Sequence, residues 1–160
     1  MALSGRLKGS DAPGYVISQI LGAIVASAVL LFLLEGLPDY EFTIDGLGAN
    51  GNPHDMSMAA LFFWELILTA LFLYTIFTAT RGDFTPGFSA LAIGGFLFIA
   101  HLVGAQLGDS SLNPARSIGL ALFVGSKALG VLWVYIIAPM IGGILGWILY
   151  RRLHDEPVPK

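Results

Sequence analysis

A short apolar run opened by Asn113-Pro114-Ala115-Arg116-Ser117 constrains this chain more than any other feature. Ile118 to Val124 is far shorter than the ~20 residues a membrane-spanning helix needs, yet segments that are long enough flank it on both sides. Asn113 suits a helix N-cap, where its side chain accepts from a backbone N–H, and Pro114 fits the first helical position, where no N–H is required. The pattern predicts a half-helix over 114–124 that starts inside the bilayer. Such a helix points free N–H groups and the positive end of its dipole at whatever lies beyond. Broken backbone survives at that depth only if it is packed in protein or lines a wet cavity. The motif reads as part of a pore.

Composition sets the surroundings. The 160 residues are 56% hydrophobic and 12% charged, with a mean hydropathy of +0.78. A soluble domain is about a quarter charged, so this balance belongs to an integral membrane protein. The 20 glycines agree, because helices in lipid pack through small residues. No cysteine is present, which excludes disulfides and thiol chemistry. A net charge of −3 gives no reason to expect nucleic acid. Arg6 and Lys8 precede a full-length span, so the N-terminus is not expected to be a cleaved signal.

Four segments are long enough to span: Pro13 to Leu34, Met58 to Thr80, Thr85 to Gly108 and Lys127 to Tyr150. They form one expected domain over 1–160, all-α and integral to the membrane. The 35–57 stretch is rich in Gly, Asn, Asp and Pro and reads as an extracellular loop. Arg81-Gly82-Asp83 is a tight turn. With four alternating spans, Arg6, Lys8, Arg81, Arg151, Arg152 and Lys160 share one side. The other side has Lys127 alone among the bases, together with Glu35, Asp39, Glu41, Asp45, Asp55 and Asp109. The positive-inside rule then places both termini in the cytoplasm and makes the half-helix dip in from outside and return. Small residues recur every fourth position at Gly14, Ser18, Gly22 and Ala26, and at Ala138, Gly142 and Gly146, marking faces for close helix packing.

Few polar groups lie at membrane depth, and such groups are costly unless they have a use. Arg116, always charged, is read as holding water or a small polar solute and repelling cations, against the alternative of snorkelling to the outer surface. His101 is read as a donor to water that narrows the passage; the competing reading is a packing residue. Glu65 is expected to accept hydrogen bonds from the backbone of a non-helical loop, and Gln19 to play a similar supporting part. The carbonyls of Asp109, Ser110 and Ser111 form a candidate ladder of acceptors along the pore. His54, His101 and His154 lack metal-ligand spacing. No cofactor is expected. Ser110 or Ser111 with His101 makes a poor hydrolase, since no nucleophile elbow or orienting acid accompanies them.

These residues resemble the aquaporin, or major intrinsic protein, family. Asn113-Pro114-Ala115-Arg116-Ser117 looks like its second signature, and Tyr15 to Ala23 is similar to the start of its third helix. The mid-helix Glu65, the turn before Pro86-Gly87-Phe88 and the His101 to Arg116 spacing resemble its second half. The resemblance implies an aquaporin-like helical bundle with four spanning helices and one re-entrant half-helix, an incomplete form of two inverted repeats. It implies a passive channel for water that excludes protons and ions, not an enzyme. Asn113 would donate to passing water, and His101, Arg116 and the Ser110 carbonyl would form the outer constriction. A histidine there resembles water-selective members. A glycerol or small neutral solute facilitator is the nearest alternative. The family implies homotetramers, here in the plasma (cell inner) membrane.

The chain also departs from the family pattern. Met1 to Leu7 resembles the tail of a first half-helix, and the two helices and first triplet expected before it are absent, as is an aromatic of the constriction. Two readings stay open: part of a longer channel, or a chain whose missing wall comes from a partner, including a non-conducting subunit.

Overall fold

In a computed structural model, the structure describes residues 4–42, 47–52, 54–107 and 109–154. Expectations that touched Met1 to Leu3, Asp45, Gly108 and Lys160 lie outside the described residues. Five helices make up the regular structure among the described residues: α1 Ala12–Leu34, α2 Met58–Ala79, α3 Ser89–Leu107, α4 Pro114–Val124 and α5 Ser126–His154. The protein is all-α, an integral membrane helical bundle. α1, α2 and α5 are long and apolar enough to cross a membrane.

Local chemistry sets the helix ends. Ser57 opens α2 by accepting from the Ala60 N–H at 3.2 Å. Asn113 opens α4 from an extended conformation. Gly125, at φ 85°, ends α4, and Ser126 starts α5 at once. Before α3, Thr85-Pro86-Gly87-Phe88 forms a turn: the Phe88 N–H reaches the Thr85 carbonyl at 3.2 Å and Gly87 takes φ 82°. Helix geometry therefore begins at Ser89 and not at Thr85, because Pro86 disfavours helical geometry in the residue before it.

The tightest crossing joins α2 and α5. A Cβ on Gly142 would lie 2.4 Å from the Leu66 carbonyl oxygen, and one on Gly146 2.2 Å from that of Ala70. The Ala138-Gly142-Gly146 stripe is thus a crossing within this chain, and no larger residue fits there without moving the helices apart. Next to it, Leu61, Val134, Tyr135 and Ala138 form a fully buried cluster. A second cluster, Leu68, Ala100 and Leu112, joins α2, α3 and the loop before α4. The other small-residue stripe behaves differently: Gly14, Ser18 and Gly22 are exposed on α1, and nothing lies within 4 Å of a Cβ at Gly14 or Gly22. α1 and α4 approach closely where a Cβ on Gly119 would lie 2.7 Å from the Ala23 backbone.

The N-terminal segment is tied to one end of this bundle. The Arg6 guanidinium lies over the Phe77 and Tyr150 rings, at 5.0 and 5.5 Å, and donates to the Thr80 hydroxyl at 2.6 Å. These contacts bring Arg6 to the same end as Arg81, Arg151 and Arg152, which follow Thr80 and Tyr150 directly.

Candidate functional site

The loop from Asp109 to Asn113 leaves regular geometry, with Asp109 at φ 66° and Leu112 at φ 53°. Left-handed backbone costs a non-glycine residue about 1–3 kcal/mol, so the surroundings must hold it. Glu65, wholly buried in the middle of α2, accepts from the Ser111 N–H at 3.1 Å and from the Leu112 N–H. The Ser110 hydroxyl donates to the Ala100 carbonyl at 3.1 Å. Gly104 makes room for it, since a Cβ there would meet Ser110 Oγ at 2.0 Å. The Trp64 indole donates to the Asp109 carbonyl at 3.1 Å. That carbonyl, expected on the solute path, already has one protein donor.

The loop delivers the chain to α4. Asn113 Oδ1 accepts from the N–H groups of Ala115 at 3.1 Å and Arg116 at 3.3 Å. The Asn113 carbonyl takes the Ser117 N–H at 3.2 Å, and Pro114 has none to offer. The half-helix therefore does not present the free N–H groups that its sequence suggests. Asn113, reaching back over the first turn, consumes them. What it offers to a ligand is the Nδ2 side of its own carboxamide, with the helix dipole behind it.

Arg116 is half-buried one turn in. Its Nη1 donates to Asn50 Oδ1 at 2.7 Å and its Nη2 to the Gly48 carbonyl at 3.0 Å. Asn113, Ala115 and Arg116 line a groove of about 450 Å³ whose other wall is α1, from Gln19 through Gly22, Ala26 and Leu30. Gln19, expected to support a loop, is exposed and lines this groove instead. Pro114 lines a separate cavity of about 300 Å³ with Thr69, Leu112 and Pro139.

His101 is partly buried in α3, with Nδ1 2.8 Å from the Leu97 carbonyl. A carbonyl only accepts, so Nδ1 carries the proton of that bond, and in the uncharged ring Nε2 is left as an acceptor. With that bond formed, an uncharged His101 accepts from water at Nε2, and only a charged ring donates to it as the sequence suggests. No described contact joins His101 to Arg116. Ser110 and Ser111 are buried, and the Ser111 hydroxyl donates to the Asn113 carbonyl at 2.8 Å.

Four residues of this site escaped the sequence reading: Gly48, Asn50, Trp64 and Tyr135, whose hydroxyl donates to the Gly51 carbonyl. Asn50 sits between two small residues in what reads as an ordinary turn, and no local signal marks it.

With this geometry in place, comparison with known proteins is informative. The model of the family described as "Major intrinsic protein" matches residues 1–150. Aquaporin Z of Bradyrhizobium diazoefficiens is 43% identical over 161 residues, covering 98% of this chain and 67% of that protein. Aquaporin Z of Rhodopseudomonas palustris is 40% identical with the same coverage. Aquaporin Z of Photorhabdus laumondii is 38% identical over 156 residues, 95% of this chain and 68% of that protein. The chain spans about two thirds of the length of these relatives.

Proposed function

The chain belongs to the major intrinsic protein family, and we propose that it carries the pore elements of a passive water channel in the plasma membrane. The observation that carries this reading is the groove wall where the capping Asn113 and an anchored Arg116 lie one helical turn apart. Water moving along α1 meets the Asn113 Nδ2 group, which turns its oxygen toward the half-helix. It then meets the Arg116 guanidinium. His101 and the Ser110 and Ser111 carbonyls, which do not line the groove between α1 and α4, are assigned to its continuation toward the outer end, where an uncharged His101 accepts at Nε2. A proton or cation meets the opposite: the dipole end of α4 and the charge of Arg116 both repel it. At 4 Å and an effective dielectric near 20, one unit charge costs about 4 kcal/mol against another, roughly a thousandfold in occupancy. Neutral water carries no such cost.

Glycerol is read as excluded, because a histidine in the place where solute facilitators carry a small residue would make the outer constriction narrower and more polar. The termini are assigned to the cytoplasm, since Arg6, Arg81, Arg151 and Arg152 share one end while Lys127 lies at the other. α1 buries a single residue, Ser27, so the groove between it and α4 lacks a covering wall. The remaining wall is assigned to a further segment or to a partner chain, within a homotetramer. The non-conducting subunit is the second reading that this open wall supports.

Osmotic shrinkage of vesicles carrying the protein tests the proposal. Water flux well above empty vesicles, with glycerol flux at background, is the expected result. Arg116→Val should then raise proton leak and His101→Gly should raise glycerol flux. Water flux equal to empty vesicles would favour the non-conducting reading, and glycerol flux matching water flux would favour the solute facilitator. Unchanged proton and glycerol exclusion in both variants would remove the site assignment.

A further inference from the structure

Asn50 is 3% exposed and lies among three polar partners. Its Oδ1 accepts from Arg116 Nη1 at 2.7 Å and from the Ser117 hydroxyl at 2.8 Å. Its Nδ2 donates to Asp109 Oδ2 at 3.2 Å. Asp109 is itself fixed, its other carboxylate oxygen accepting from the Ser110 N–H at 2.8 Å. We infer that Asn50 is the positioning residue of Arg116, a polarised spacer that holds the guanidinium against the groove wall and so sets which solutes pass. The inference rests on the pore reading given above.

The chemistry allows one orientation of the carboxamide. A flipped amide would set its NH₂ against the guanidinium and its oxygen against the carboxylate, exchanging two charge-assisted hydrogen bonds for two repulsions. The spacer also explains how an acid sits near Arg116 without neutralising it. A direct Asp–Arg pair is commonly bidentate and takes two N–H donors of the guanidinium together with its charge. Here the carboxylate fixes Asn50, and Asn50 takes one N–H from Arg116. The Gly48 carbonyl takes another, and the charge remains to repel cations. Position is thereby separated from charge.

Two readouts test this, one independent of conduction. The rate at which phenylglyoxal modifies Arg116, followed by mass spectrometry of the purified protein, reports whether the guanidinium is held. Asn50→Ala should raise that rate by about tenfold or more, the factor expected for losing a hydrogen bond to a charged group. In vesicles it should raise the ratio of glycerol to water permeability. His54→Ala, an exposed position on the same loop, should change neither. Asn50→Asp combined with Asp109→Asn keeps every hydrogen bond but sets the carboxylate directly against Arg116, and should return the rate to the wild-type value or below it. An Arg116 rate unchanged by Asn50→Ala, or a double variant as reactive as Asn50→Ala, overturns the inference. If wild-type vesicles pass no water, the pore reading fails and the reagent rates still decide whether Asn50 holds Arg116.

Discussion

Two helices of this protein begin with nearly the same signal, and the structure treats them in opposite ways. α1 follows Asp11-Ala12-Pro13, and α4 follows Asn113-Pro114. Asp11 makes no side-chain cap, and only turn bonds precede it, such as its own N–H to the Lys8 carbonyl at 3.0 Å. Asn113 takes three N–H groups through its side chain and carbonyl. Behind it Glu65, Ser110 and Trp64 pin the loop. The difference follows from location. The residues around Asp11 are exposed at the bundle end, where water completes any missing hydrogen bond. The start of α4 is surrounded by protein, so each polar group needs a protein partner or a solute. Where the chain provides donors beyond that need, at Asn113 Nδ2 and Arg116, the surplus marks the candidate site.

The largest test of this contrast is Glu65→Leu. It strands the N–H groups of Ser111 and Leu112 in a buried site, and the expected loss is about 2–4 kcal/mol, read as a lowered thermal midpoint in detergent. Glu35→Leu, at the exposed end of α1, should leave the midpoint in place. Gly119→Ala comes next: a Cβ 2.7 Å from the Ala23 backbone must push α1 from α4. A loss of about 1–3 kcal/mol is expected, and Gly22→Ala, with open space around it, serves as its comparison. Asn113→Ala should cost about 1 kcal/mol as a lost cap, while Asp11→Ala should cost nothing measurable. Equal losses at the two caps would break the comparison.

The smallest effect lies in the turn between α2 and α3. Arg81 donates to both Asp83 carboxylate oxygens, at 2.8 and 2.6 Å, and this hydrogen bonding holds the Asp83 carboxyl below its ordinary value. A carboxylate lowered on folding stabilises the fold above its unfolded value, and that contribution fades as pH falls through and below the ordinary aspartate range. The pair is exposed, so Asp83→Asn should shift the thermal midpoint slightly at neutral pH and not at all in strong acid. A large neutral-pH shift would mean that this turn is a structural anchor like the α4 loop.

Much of the fold was readable because apolar length and Gly, Pro and Asn punctuation are local signals. Asn113-Pro114 and Gly125 mark both ends of α4 within a few residues of chain. The start of α3 is hard to read from sequence because apolar content continues through Phe84 and Phe88 while Pro86 and Gly87 fold the backbone into a turn. At the site, the residue types were visible and their partners were not. Nothing near Asn50 in sequence announces Arg116, because the bond that joins them spans 66 residues. Likewise the polarity of His101 depends on the Leu97 carbonyl, a contact that exists only once the helix is formed.

The central claim is that the groove between α1 and α4 carries water, and thiol accessibility tests it without background, since the chain has no cysteine. Gly22→Cys and Ala26→Cys put thiols on the groove wall, and Val25→Cys puts one on the outer face of α1, where Val25 is 62% exposed and lines no part of the groove. Thiols react as thiolates and need water to ionise. In vesicles, a small water-soluble thiol reagent should label the first two readily and leave the third untouched. Equal labelling of all three, or of none, would contradict the account.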